Sequence, residues 1–104
     1  MSFVVQLTDG AEDDLQRLLD HLIDRAEFVE DLIKASQTMQ ELRESMRDLL
    51  TRHPMIFRKA AGSPFLRELI VPLGARGYVV LFEVIDAQTV RVLALRHQRE
   101  DDYH

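Results

Sequence analysis

The chain has 104 residues, 46% of them hydrophobic and 30% charged, which is the size and composition of one ordinary globular domain with one core. It contains no cysteine, no apolar run of the roughly 18 residues that span a membrane, and no basic start or cleavage motif of a secretory signal; disulfides, thiolate catalysis, cysteine-ligated zinc and a membrane helix are excluded, and a cytoplasmic location is predicted. The net charge of −5 opposes non-specific nucleic-acid binding, but it is split: residues 1–51 carry −7, residues 52–99 carry +5 and the last five residues carry −3.

Phe3-Val4-Val5-Gln6-Leu7 reads as a short strand, β-branched and aromatic, ended by Thr8-Asp9-Gly10. Thr8 or Asp9 caps a following helix, whose first-turn acids Glu12, Asp13 and Asp14 suit the positive end of its dipole. Leu15, Leu18, Leu19, Leu22 and Ile23 make one apolar face at helical spacing, and Leu32, Ala35, Met39, Leu42, Met46 and Leu49 make a second. On one continuous helix these faces would point roughly 150° apart. A break near Arg25–Asp31 is therefore predicted, turning both faces toward one core, although neither Gly nor Pro marks it. The second helix must stop by His53, because Pro54 disfavours helical geometry in the residue before it.

Met55 to Gly62 is a connector, and Gly62-Ser63-Pro64 is a clear breaker. Strands are predicted at Phe65–Val71, Tyr78–Ile85 and Thr89–Arg96, with Pro72 to Gly77 as one turn and Asp86-Ala87-Gln88 as the next. Tyr78–Ile85 is almost wholly apolar, which predicts a central strand covered on both faces. In the last strand Val90, Val92 and Ala94 alternate with Thr89, Arg91, Leu93 and Leu95, a partly one-sided pattern. The predicted fold is α+β: an N-terminal strand, an α-helical hairpin, then a three-stranded antiparallel meander, forming one sheet packed on the hairpin in a single domain of residues 1–104.

His97, Asp101, Asp102 and His104 carry metal-ligating groups, but their spacing matches no zinc or calcium pattern, so no metal and no cofactor is expected. The chain has no Gly-x-Ser-x-Gly, P-loop or Gly-x-Gly-x-x-Gly motif. The adjacent pairs Asp13-Asp14 and Asp101-Asp102 point apart on any regular element, so neither makes an acid/base dyad. Met39 and Met46 lie on the apolar stripe and belong in the core. Two features remain: Arg67 sits among apolar neighbours in a strand, and Arg96-His97-Gln98-Arg99 follows the last strand. Gathered at one end of a sheet, two or three guanidinium groups, an imidazole and the phenol of Tyr103 suit recognition of a phosphate or carboxylate. The plainer reading is that Arg67 covers a sheet edge and the others pair with Glu100 and Asp101.

Strand, helical hairpin, then "LRELIVPLGARGYVVLFEVIDAQTVRVLALRHQREDDY" resembles the RelE/ParE superfamily of type II toxin–antitoxin toxins. The likeness covers nearly the whole chain. It is carried by the Leu66-Arg67 strand, the Gly77-Tyr78 pair opening a long apolar strand, an acidic turn and the "VLALRHQRED" ending. The resemblance implies a small cytoplasmic toxin, neutralised by a cognate antitoxin whose extended C-terminal segment wraps it. RelE-like members cleave mRNA in the ribosome, using basic residues and a C-terminal Tyr or His; ParE-like members bind DNA gyrase and have no established catalytic site.

Three features favour the ParE-like branch. Val79, rather than an arginine, follows Gly77-Tyr78; Lys34 and Lys59 are the only lysines; and a net charge of −5 is unsuited to gripping RNA. The resemblance thus implies a gyrase inhibitor rather than an enzyme, bound by a ParD-like antitoxin, with no membrane partner and no sequence-specific DNA binding of its own. Arg67, Arg76, Arg96, His97 and Arg99 are the expected target or antitoxin contacts. One alternative is a ribosome-dependent endoribonuclease with His97, Arg99 and Tyr103 as its catalytic group, an arginine (Arg96 or Arg99) stabilising phosphate and His97 or Tyr103 moving protons. The other is a non-toxic member that only binds an antitoxin.

Overall fold

The computed structural model describes residues 2–73 and 76–100. The chain runs β1 (Val4–Leu7), α1 (Asp9–Asp24), α2 (Val29–Arg52), a single 3-10 turn (Pro54–Ile56), β2 (Leu66–Leu73), β3 (Arg76–Val84) and β4 (Thr89–His97). Its strands form one mixed sheet in the order β1-β4-β3-β2, in which β1 is parallel to β4 and the other neighbours are antiparallel. The predicted α+β architecture is the observed one.

Local chemistry sets the helix ends. Thr8 caps α1, its Oγ1 accepting from the Ala11 N–H at 3.1 Å. The break between the helices falls at residues 25–28 and is made without Gly or Pro. Asp31, the third residue of α2, turns its Oδ2 back to accept from the N–H groups of Glu27 and Phe28, both at 3.1 Å; this is the reaching-back half of a capping box. α2 then stops at Arg52, as Pro54 requires. Glu12 and Arg43 join the helices through a bidentate pair at 3.2 and 2.6 Å, and this hydrogen bond holds the Glu12 carboxyl below its ordinary pKa of 4.5. Both side chains are solvent-accessible, so the pair adds at most about 1 kcal/mol.

Both helical stripes face one core. Ala11, Leu15 and Leu18 of α1 and Met39, Leu42, Met46 and Leu50 of α2 pack on Leu69, Val71, Tyr78, Val80, Phe82, Val90, Val92 and Leu95. Each large apolar side chain so buried contributes about 1.5–3 kcal/mol. The ends of the predicted stripe differ. Leu32 is 44% exposed, and Leu50, four residues after Met46, takes the core position expected of Leu49, which packs at the margin.

Three strand expectations are corrected. The predicted turn over Pro72 to Gly77 is too long: β2 and β3 extend into it from both sides, with Pro72 opposite Gly77 and Leu73 opposite Arg76. Proline is tolerated there because β2 is an edge strand, where a missing N–H costs no ladder bond. β3 is central but not covered on both faces, since the helices lie on one side and Leu81 and Glu83 are half-buried on the other. Val79, on that open face, is still only 1% exposed. Finally, β4 is not a regular alternation. Leu81 lies opposite Ala94 and Phe82 opposite Val92, so Leu93 has no partner on β3 and forms a bulge. The one-residue slip exchanges the faces, and Leu95 rather than Ala94 joins the core, at 0% exposure.

Candidate functional site

β1 ends at Leu7, opposite Val92, which leaves the rest of the β4 edge without a strand partner. Buried backbone groups cannot stay unpaired without cost. Side chains take the place of the missing strand. Thr8 Oγ1 donates to the Leu93 carbonyl at 3.2 Å, Asp14 Oδ2 accepts from the Leu95 N–H at 2.9 Å, and Arg17 Nη2 donates to the Leu95 carbonyl at 3.3 Å. Glu100 Oε1 completes the row by accepting from the His97 N–H at 3.1 Å. Asp14 is 6% exposed, a buried charge answered by Arg17, whose Nε lies 3.9 Å away and whose Nη1 reaches Glu100 Oε1 at 3.1 Å.

The chain after β4 folds back as a turn over residues 97–100, closed by the Glu100 N–H donating to the His97 carbonyl at 3.0 Å. Arg96 binds this turn from the open face of the sheet, opposite Val79. Its Nη1 donates to the carbonyls of His97, Gln98 and Glu100 at 3.3, 3.4 and 2.5 Å, and its Nη2 is 4.0 Å from Glu68 Oε2. Arg96 is thus a structural tie, its side chain only 15% exposed. His97 faces the helix side, its ring edge-on to Tyr78 at 5.4 Å, while its Nδ1 accepts from the Arg99 N–H at 3.1 Å. That contact requires an unprotonated Nδ1. The Arg99 residue itself is exposed. Gly77 belongs to the same end: its carbonyl accepts from the Gln98 N–H at 2.8 Å, and a Cβ on Gly77 would meet the Gln98 carboxamide.

The predicted group is only partly gathered. Arg96, His97 and Arg99 share the turn, and the backbone of Arg76 lies at the same end of the sheet, two residues before Tyr78. Arg67 does not join them. It sits opposite Phe82, on the helix side, roughly 13 Å further along the strand. There its Nη1 donates to the carbonyls of Phe57 and Met55 at 2.7 and 3.2 Å, bracing the connector. Tyr103, Asp101, Asp102 and His104 lie outside the described residues. Among the described residues no group of three or more His, Asp or Glu side chains is placed to hold a metal ion, and no helix is long and apolar enough to cross a membrane.

Sequence reasoning missed Asp14, Arg17 and Glu68. A signal was available for the first two: Ala11, Asp14, Leu15 and Leu18 share helical spacing, so Asp14 stands on the apolar stripe with Arg17 three residues on. Glu68 had none, because its partners, Arg58 at 3.4 Å and Arg96 at 4.0 Å, meet it only through the sheet.

A family model described as the ParE toxin of the type II toxin–antitoxin system, parDE, matches residues 5–102. The chain belongs to the ParE toxin family. This ParE-family toxin is similar in fold to a solved structure of the chromosomal ParDE toxin–antitoxin system from P. aeruginosa, with a TM-score of 0.70 and 19% identity over 91% of this chain and 95% of that one. A free-state double mutant of the E. coli toxin RelE is less similar, with a TM-score of 0.50 and 17% identity over 91% of this chain and 82% of that one. No curated protein matches the chain. In this ParE toxin the Arg96-to-Glu100 segment is a folded turn, held from within by Arg96 and from α1 by Arg17.

Proposed function

We propose that this ParE-family toxin binds DNA gyrase in the cytoplasm, inhibits it, and is neutralised by a ParD-like antitoxin. The match to the ParE toxin family over residues 5–102 carries the reading. The geometry of the arginines supports it over RNA cleavage. Gripping RNA calls for several accessible cations on one surface, whereas Arg67 and Arg96 are occupied by backbone carbonyls on opposite faces of the sheet. His97, the expected proton carrier, has its Nδ1 occupied by the Arg99 N–H. Among the arginines of the predicted group whose side chains are described, Arg99 is therefore the one best placed to touch a target, with Arg67 and Arg96 shaping the surface.

The test is a gyrase supercoiling and gyrase-dependent DNA-cleavage assay with the purified chain. The parent should inhibit supercoiling at micromolar concentration, and Arg99→Ala should weaken inhibition about tenfold without moving the melting midpoint. Untouched supercoiling at that concentration removes the gyrase target. New codon-phased mRNA ends after induction would establish the endoribonuclease instead, and normal growth with an intact antitoxin complex would establish a non-toxic member.

A further inference from the structure

Exposed apolar side chains gather at the two ends of α2. At its start, the tip of the helical hairpin presents Phe28, Val29 and Ile33, all more than half exposed. At its end, the connector presents Met55, Ile56 and Phe65, again more than half exposed. The 24 residues of α2 hold these ends roughly 36 Å apart, most of the molecule's longest dimension of 45 Å. Neither end is a loose loop. Asp31 closes the tip by accepting from the Glu27 and Phe28 N–H groups. On the connector, Arg67 donates to the Met55 and Phe57 carbonyls and the Ala60 N–H donates to the Leu66 carbonyl at 2.7 Å. Ser63 Oγ accepts from the Phe65 N–H at 3.2 Å. The exposed side chains project from an ordered backbone, so binding through them costs little ordering entropy.

The two ends carry opposite charge. Residues 20–34 hold the acids Asp20, Asp24, Glu27, Glu30 and Asp31 against Arg25 and Lys34. Asp24, Glu27 and Glu30 are exposed, and their carboxylates have no partner among the described residues. Residues 52–65 hold Arg52, Arg58 and Lys59 and no acid. Arg52 and Arg58 each face one carboxylate, of Asp48 and Glu68, yet their side chains stay 62% and 60% exposed. The Lys59 ammonium is exposed with no partner among the described residues. Two copies meeting tip to tip would set carboxylates against carboxylates, and connector to connector would set cations against cations. Tip on connector joins unlike charges and covers apolar surface on both sides. A nucleic acid or an anionic membrane would use the connector's cations but leave the acidic tip uncovered, whereas a second copy of this chain matches both ends.

We propose that the helical-hairpin tip of one copy of this chain docks on the connector of another, Phe28, Val29 and Ile33 packing on Met55, Ile56 and Phe65 while Glu27 and Glu30 face Arg58 and Lys59. The two surfaces differ, so the contact is heterologous. The patches are small, so the association is weak and concentration-dependent rather than permanent. It stands apart from the gyrase and antitoxin readings. Because it covers both ends of α2, any protein that binds either end competes with it.

Sedimentation velocity of the full chain provides the test. Between about 1 and 300 micromolar the parent's weight-average sedimentation coefficient should rise with concentration. The rise should shrink when salt is raised from about 0.05 to about 0.5 M. Val29→Ser/Ile33→Ser at the tip and Ile56→Ser/Phe65→Ser on the connector should each need at least about tenfold more protein to associate. Both should keep melting midpoints close to the parent's, because every altered side chain is exposed. Lys59→Glu should weaken association as well. An equimolar mixture of the tip and connector variants should recover association, since each keeps the surface the other lacks, and should stop at dimers. A parent that stays monomeric over the whole range overturns the proposal, as does association that both double variants retain. Loss in one variant only would show an isologous contact at that end, and a mixture that stays monomeric would show that the two surfaces do not meet; either result overturns it.

Discussion

Asp14 shows how a single side chain can be placed by the sheet it serves. It occupies a position of the α1 stripe that its neighbours fill with apolar groups, and it is buried because its carboxylate meets the Leu95 N–H at 2.9 Å. Hydrogen bonds to a charged acceptor contribute about 1.5–3 kcal/mol, and an abandoned buried donor costs a similar amount. Asp14→Ala should therefore lower unfolding stability by about 2–3 kcal/mol in urea titration. Asp14→Asn, which keeps an acceptor oxygen, should cost distinctly less; equal losses would show that the negative charge beside Arg17, not the contact with Leu95, is what stabilises. The Thr8 cap was readable because caps are local, a hydroxyl three residues from the N–H it binds. The sequence shows Asp14 only as a first-turn acid suited to the helix dipole, because the group it binds lies 81 residues away in sequence.

At the scale of elements, the helices followed their periodicity and the sheet did not. The α1–α2 break was legible from two apolar stripes that could not otherwise share a core, even though its cap, Asp31, was not singled out. In β4 the apolar pattern Val90, Val92, Ala94 suggested a simple alternation that the bulge at Leu93 interrupts. The bulge turns Leu95 inward and Arg96 outward, and so decides which face the arginine occupies. Leu95→Ala should cost about 2–5 kcal/mol as a core truncation, whereas Ala94→Ser should cost less than about 1 kcal/mol, both measured by thermal or urea unfolding. An uninterrupted ladder would reverse that order. The extent of the β2–β3 hairpin departs from expectation for a related reason: Pro72 and the glycines signal a turn, but an edge strand accepts proline and the strands run closer to the tip than composition suggests.

For the whole molecule, hairpin and sheet share a single apolar core, in which Leu42, Met46 and Leu50 of α2 pack against strands from both ends of the chain. The domain should therefore unfold as one unit. Far-ultraviolet dichroism, which follows the helices, and near-ultraviolet dichroism of buried Tyr78 should report one midpoint, and Leu42→Ala should lower both together. Helices that outlast the tyrosine signal would show that the hairpin is a separate unit. The sequence by itself determined the order of elements, the two helical faces, the α+β class and the likeness to RelE/ParE toxins, since periodicity, caps and breakers act within a few residues. Only the tertiary structure decided which arginines are ties and which are accessible, how side chains of α1 close the edge of β4, and that apolar side chains stay exposed at both ends of α2. Those outcomes depend on strand register and on contacts between residues far apart in the chain, where a slip of one residue moves a side chain to the other face.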